Sequence, residues 1–164
     1  MKMPLPAVLS LLLAGAPAWA ADLTAQDFVD RASAAGIAEL ETARMALEQG
    51  RSAEVKNFAE KMIKDHTAAN EDLKEIAAEK KLEIADSPDA MNKAKGMILE
   101  MRDGEDFDQA YARNQVNAHE QAIELYREAA QGVNDEALQA FAKEKLPTLE
   151  EHLEMARKLP GAQQ

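Results

Sequence analysis

Three histidines are the side chains of this sequence best suited to chemistry. His66, His119 and His152 are its only histidines, and each lies in an apolar stripe with the alternating four-and-three spacing of one helix face. A fourth stripe carries Glu39 in the equivalent place. An ionisable side chain inside an apolar face is costly unless it is paired. If these side chains project into one core, they form either a hydrogen-bonded polar cluster or a metal site.

A divalent metal ion is one occupant that this residue set would suit. Zinc or copper can take three imidazoles and one carboxylate. Met62 lies one helical turn before His66, and Met155 lies one turn after His152, so thioether ligands that favour copper are also near. The candidate metal ligands are His66, His119, His152 and Glu39.

The same side chains could instead act as internal polar struts that fix the register of the helices. Three residues could serve as their hydrogen-bond partners: Tyr111, Asn114 and Asn117. Antiparallel pairing separates Glu39 from His66, and His119 from His152, by roughly 6–8 Å along the helix axes. Two separate polar pairs and one four-ligand centre are therefore both open.

Several classes of catalytic site are excluded by spacing. Ferritin-like di-iron proteins place a glutamate three residues before each ligand histidine. The corresponding positions here are all apolar: Ile63, Val116 and Leu149. The zinc-protease motif His-Glu-x-x-His is missing, as is any phosphate loop or nucleophile with its base. We therefore expect no catalytic residues, no organic cofactor and no enzymatic activity.

The elements that must position these residues are predicted to be helices. Aromatic residues make up only 4% of the chain, while Ala, Glu, Lys, Leu, Gln and Met dominate, which is helix-forming composition. Caps, breaks and apolar spacing predict four long helices, at 24–49, 52–81, 107–131 and 134–159. Thr24, Ser52 and Asn134 are the predicted N-caps. Pro147 lies inside the last helix and should kink it rather than end it.

The connections between the helices predict the topology. Short turns at Gly50 and Gly132 predict two antiparallel hairpins. Residues 82–106 are too long for a hairpin turn, so we expect a crossover with its own short helix near 88–101, with Pro88 at the first helical position. The predicted fold is all-α, a ferritin-like four-helix bundle with a short extra helix in the crossover between helices 2 and 3.

The first twenty residues have the pattern of a signal peptide. Lys2 precedes an apolar run at 5–14, and Ala18-Trp19-Ala20 fits a cleavage site after Ala20. The run is too short to span a membrane, and no later stretch approaches the length of a span. The remaining domain, 21–164, is expected to be periplasmic or secreted. A net charge of −11 argues against nucleic acid as a partner.

Three groups of residues resemble a known family. They are the run Phe-Ala-Glu-Lys-Met-Ile-Lys-Asp-His-Thr-Ala-Ala-Asn at 58–70 followed by Leu73, the motif Phe107-Asp108-x-x-Tyr111 with His119, and Leu146-Pro147 with His152-Leu153. Together they resemble domain-of-unknown-function family 4142 (DUF4142), exported bacterial proteins with a ferritin-like helical bundle, some labelled outer-membrane proteins. The resemblance spans about 22–159. It implies the fold and export, and it supplies no established activity.

Two functions follow as competing expectations. The first is an exported, periplasmic helical-bundle protein without enzymatic activity, related to envelope stress. The alternative is a divalent metal binding protein that uses the core histidines and the glutamate. The sequence identifies neither an envelope partner nor an oligomeric state.

Overall fold

The computed structural model describes residues 23–162, and these residues are all-α. Five helices follow one another: α1 (Ala25–Gln49), α2 (Ala53–Lys80), α3 (Ala90–Glu100), α4 (Gly104–Gly132) and α5 (Glu136–Ala156). The four long helices and the short crossover helix correspond to those predicted. The predicted signal peptide, residues 1–20, lies outside the described residues.

The first two long helices begin at the predicted caps. The side chains of Thr24 and Ser52 each accept a hydrogen bond from the backbone N–H three residues further on. The prediction for the last helix was wrong by one residue, because Asp135 rather than Asn134 is its cap. The Asp135 carboxylate also binds the Lys80 ammonium at 2.7 Å, a contact between helices that local spacing does not reveal.

The crossover helix and α4 also begin elsewhere than predicted. Pro88 is not the first helical residue; Asp89 caps the helix, and its side chain accepts a hydrogen bond from the backbone N–H of Asn92. Helix α4 starts at Gly104 rather than Phe107. Gly104 has φ of 56°, a left-handed conformation that glycine adopts without steric cost, and the chain turns into the helix there.

The long helices pack as two antiparallel hairpins. α1 packs on α2 and α4 on α5, while α1–α4 and α2–α5 contacts join the hairpins side by side. The crossover runs back along α1. At its start the Gln26 side chain bonds the backbone of Glu83, and at its end Gly104 bridges Gly50. Two hairpins joined by one long crossover agree with the predicted connectivity, and the ferritin-like label remains a prediction.

One buried carboxylate fastens the first hairpin to α4. Asp108 is 3% exposed, and it accepts hydrogen bonds from the backbone N–H of Arg51 at 3.0 Å and of Ser52 at 2.7 Å. These two donors lie in the turn between α1 and α2. The contact therefore holds that turn against the first residues of α4.

The apolar core is divided into two clusters. One surrounds Phe28, whose ring lies edge-on to Tyr126 with the centroids 5.2 Å apart. The other surrounds Phe58 and Tyr111, whose centroids are 6.2 Å apart. The buried polar side chains that belong to neither apolar cluster include Glu39, His66, Gln115, His119 and His152. The middle of the bundle is therefore a polar layer.

No helix within 23–162 has both the length and the apolar character that crossing a membrane requires.

Candidate metal centre

The three histidines meet in this polar layer. His66 comes from α2, His119 from α4 and His152 from α5, and their ring centroids are 5.4–5.7 Å apart. One candidate ligand nitrogen from each ring lies within 4.8 Å of the other two. Their exposed fractions are 8%, 1% and 1%. One compact cluster thus holds all three residues.

Hydrogen bonds determine which nitrogen of two rings carries the proton. His119 Nδ1 lies 2.9 Å from the backbone carbonyl oxygen of Gln115, and since a carbonyl can only accept, Nδ1 carries the proton. The Nε2 atom of His152 lies 2.9 Å from the Asp65 carboxylate, which likewise accepts. The remaining nitrogens, His119 Nε2 and His152 Nδ1, therefore carry free lone pairs.

Those two nitrogens have no hydrogen-bond partner among residues 23–162, and neither has Nε2 of His66. All three atoms are buried. Buried polar atoms in folded proteins are nearly always paired, so each unpaired one needs a physical reason. Three such atoms in one cluster, one from each histidine, are the feature of this core that needs explanation.

The Asp65 carboxylate supports His152 from outside the cluster. It also binds the Lys61 ammonium at 3.1 Å. Burial pushes the pKa of Asp65 upward, but hydrogen bonds with His152 and Lys61 outweigh it and leave the pKa below its ordinary value. A charged carboxylate on the far nitrogen of a histidine is the usual second layer of a metal site, because it orients the ring and raises its basicity.

The environment keeps two of the histidines neutral near pH 7. Burial lowers the pKa of His66 to about 4, and the negative charge of Glu39 opposes this only in part. Burial also lowers the pKa of His152 to about 4, against the hydrogen bond with Asp65. Neutral imidazole is the form that binds a metal ion.

Glu39 lies beside the histidines without joining their compact group. Its exposed fraction is 7%, and its Oε2 accepts a hydrogen bond of 2.8 Å from the Gln115 side-chain amide. The set of nitrogen and oxygen atoms within 4.8 Å of one another consists of the three histidines alone among the described residues. Of the four predicted ligands, three come together and Glu39 stands next to them.

A cavity of about 560 Å³ leads to the cluster. Residues from all five helices line it. Its polar wall includes His66, His119, His152, Glu39 and Thr42. The cluster is therefore buried in the bundle and still borders a space large enough for small molecules.

The comparison with known families covers all of these residues. A model of the family described as a domain of unknown function (DUF4142) matches residues 12–159. The chain belongs to the DUF4142 family. None of the curated proteins matches this DUF4142 chain.

The DUF4142 chain is similar in fold to a solved structure from Streptomyces coelicolor, described there as a secreted protein DUF305. The TM-score is 0.68 at 12% sequence identity, over 79% of this chain and 85% of that chain. At this identity the likeness concerns the helical fold alone.

Two residues that support the cluster were not found from the sequence of this DUF4142 chain. Asp65 precedes His66 directly. In the helical spacing it falls on the polar face opposite the apolar stripe of His66, so the sequence predicted only a solvent-exposed acid there. Gln115 lies one turn before His119, and its backbone and side chain both take part in the polar layer. The only local signal was the single helical turn between Gln115 and His119.

The partners expected from the sequence have other contacts. Asn117 accepts hydrogen bonds from Lys95 and Gln121 on the surface, while the Tyr111 hydroxyl has no partner within 23–162. Asn114 lines the cavity. The nearby thioethers of Met62 and Met155 pack in the apolar cluster around Phe58.

Proposed function

We propose that this protein is an exported binding protein for one divalent transition-metal ion, held by His66, His119 and His152. The observation that supports the proposal is the cluster of three histidines: each ring has a buried nitrogen without a protein partner among the described residues, and one nitrogen of each ring lies within 4.8 Å of the other two. A bound cation would satisfy all three nitrogens at once, with His66 in the tautomer that leaves the lone pair on Nε2. We expect this ion to be bound without catalytic turnover.

The geometry suits a small ion after a slight contraction. Three nitrogens bound to one zinc ion at about 2.0 Å lie roughly 3.3 Å apart. Since the nitrogens here are within 4.8 Å of one another, each ring has to move inward by at most about 1 Å. Imidazole ligands suit zinc, copper, nickel and iron.

The competing interpretation, polar struts that fix helix register, accounts for fewer atoms. It explains the hydrogen bonds of Asp65 with His152 and of Gln115 with Glu39. It leaves three buried ring nitrogens without a partner among the described residues, at a cost of roughly 1–3 kcal/mol each. The metal-binding proposal is therefore the better supported of the two.

Export, a ferritin-like bundle and a role in envelope stress belong to the same proposal. The secreted relative in Streptomyces coelicolor supports export, and the pattern of the first twenty residues favours a signal peptide cleaved after Ala20. The two hairpins and their crossover support the ferritin-like topology. Envelope stress remains an expectation from the sequence.

Metal titration of the chelator-treated protein tests the proposal. We expect one Zn²⁺ or Co²⁺ per chain by calorimetry and elemental analysis. His119→Ala should lower the affinity more than roughly 100-fold, because it removes one of three direct ligands, whereas loss of an outer partner costs about 10–100-fold. Asn117→Ala is the matched control, since Asn117 lies on the same helix with its side chain at the surface. Binding that is absent, or equal in the two variants, overturns the proposal.

A further inference from the structure

The histidine cluster supplies one ligand fewer than its preferred ions take. Zinc and cobalt prefer four ligands in protein sites, and sites with three protein ligands hold water or substrate in the fourth position. Glu39 is a buried carboxylate that borders the same cavity as the three histidines. Whether it fills the fourth position decides what the centre can bind.

We propose that the fourth position is taken by a small exchangeable ligand, water or a small inorganic anion, that enters through the cavity. Glu39 then acts from outside the coordination sphere as a positioning residue. This inference rests on the proposed function. The ligand class follows from the positive charge of an ion held by imidazoles alone, and the cavity gives such a ligand access.

Distance and a hydrogen bond both hold Glu39 outside the coordination sphere: its carboxylate is not part of the group of atoms within 4.8 Å of one another, and its Oε2 accepts from Gln115. Gln115 is fully buried, and its Oε1 already has no partner within 23–162. If Glu39 turned to the metal, the Gln115 Nε2 would lose its acceptor as well. A second unpaired atom on one buried amide would cost roughly 1–3 kcal/mol.

The cavity gives a small ligand access to the ion. All three histidines and Glu39 form part of its wall, and its volume of about 560 Å³ far exceeds the ~30 Å³ that one water occupies. A water on the ion could donate a hydrogen bond to the Glu39 carboxylate. An anion in the same place would meet the negative charge of Glu39, which should weaken its binding.

Azide titration of the Co²⁺-loaded protein separates these roles. Cobalt reports its ligands through visible absorption bands, and azide is a small anion that displaces water. We expect a saturable spectral change with one azide per cobalt. Glu39→Gln should keep one cobalt per chain and bind azide roughly 5–10-fold more tightly, because one negative charge near the ion is removed.

Asp30→Asn is the matched control. Asp30 is an exposed acid on the same helix as Glu39, and it also lines the cavity. Asp30→Asn therefore removes the same charge at a position further from the histidines. Its azide affinity should change less than twofold. The wild-type azide titration is a test by itself even where Glu39→Gln does not fold.

Three results would overturn the inference. One is a cobalt spectrum that does not respond to saturating azide while cobalt stays bound; this leaves the proposed function intact. Another is weaker cobalt binding and altered bands in Glu39→Gln, which would make Glu39 the fourth ligand. Failure of the wild-type protein to bind cobalt or zinc at all would overturn the proposed function together with the inference.

Discussion

Each histidine of the cluster has two ring nitrogens, and the protein uses them for different purposes. In His119 and His152 one nitrogen donates to a fixed acceptor, the Gln115 carbonyl or the Asp65 carboxylate. The other nitrogen then presents a lone pair to the centre of the bundle. The fold thus fixes the orientation and tautomer of these two rings, which would lower the entropy cost of binding a ligand there.

The charge of Asp65 should matter for metal affinity. Asp65→Asn retains an acceptor for the His152 N–H but removes the negative charge that raises the basicity of the ring. We expect Zn²⁺ affinity to fall roughly 10–100-fold, as for other second-layer carboxylates, with the protein still folded. Competition with a chromophoric chelator measures the affinity.

Glu151→Gln provides the control for Asp65→Asn. Glu151 also pairs with Lys61, at 3.4 Å, but its exposed carboxylate makes no hydrogen bond to a histidine among the described residues. Its Zn²⁺ affinity should stay at the wild-type value. Equal affinities for the two variants would show that the Asp65–His152 bond contributes nothing to the site.

At the scale of the helices, the apolar periodicity carried most of the predictive information. It identified all four long helices and the inward face of each histidine, since a residue in phase with a buried stripe must face the core. Helix ends were less predictable. The cap at Asp135 is coupled to Lys80 of another helix, and the start at Gly104 depends on backbone conformation.

The roles of Asp65 and Gln115 could not be predicted because they also depend on contacts between distant helices. The partner of Asp65 lies on α5, 87 positions away, and Gln115 contacts Glu39 on α1, 76 positions away. Nothing in a single sequence states which turns of two distant helices lie at the same level. The histidines could therefore be identified as core residues, while their supporting contacts required the packed structure.

Asp108 offers a test of how the elements are held together. Asp108→Ala removes both acceptors of the Arg51 and Ser52 N–H groups, and we expect a loss of about 2–3 kcal/mol in the free energy of unfolding. Asp108→Asn keeps one acceptor and should lose about half as much. Urea denaturation followed by circular dichroism measures both variants.

Asp106→Ala is the control for Asp108→Ala, because both residues lie near the start of α4. Asp106 is exposed in the first turn of α4, so its removal should cost less than about 1 kcal/mol. If Asp106→Ala and Asp108→Ala are equally destabilised, the turn-fastening role of Asp108 is wrong.

At the scale of the whole molecule, two apolar clusters flank one polar layer. The clusters supply the burial that stabilises a helical domain without disulfides, as the chain contains no cysteine. The polar layer makes the stability of the whole bundle sensitive to the protonation of a few groups. The same layer joins the two hairpins, because its histidines come from both.

Stability of the metal-free protein should therefore fall in acid. The folded pKa values of His66 and His152 are about 4, below the unfolded value of about 6.5, so the unfolded chain binds more protons between these limits. Their contribution is fully present above pH 6.5 and is lost as pH falls towards 4. Between pH 7 and 5 the loss should be about 2 kcal/mol per histidine.

Urea denaturation at pH 7 and 5, in the presence of a chelator, measures this dependence. The double variant His66→Gln, His152→Gln is the control, and its stability should change far less over the same interval. A wild-type protein whose free energy of unfolding is the same at both pH values would contradict the buried, neutral state of the two rings.

The 87 positions between Asp65 and His152 have a consequence for when the centre can form. The first hairpin can fold from local contacts, but the histidine cluster is complete only after the last helix packs on it, because that contact closes a loop of 87 positions. A chain that is still unfolded carries no such centre. Under the proposed function, the metal supply of the compartment in which the chain finishes folding would thus decide which ion fills the centre.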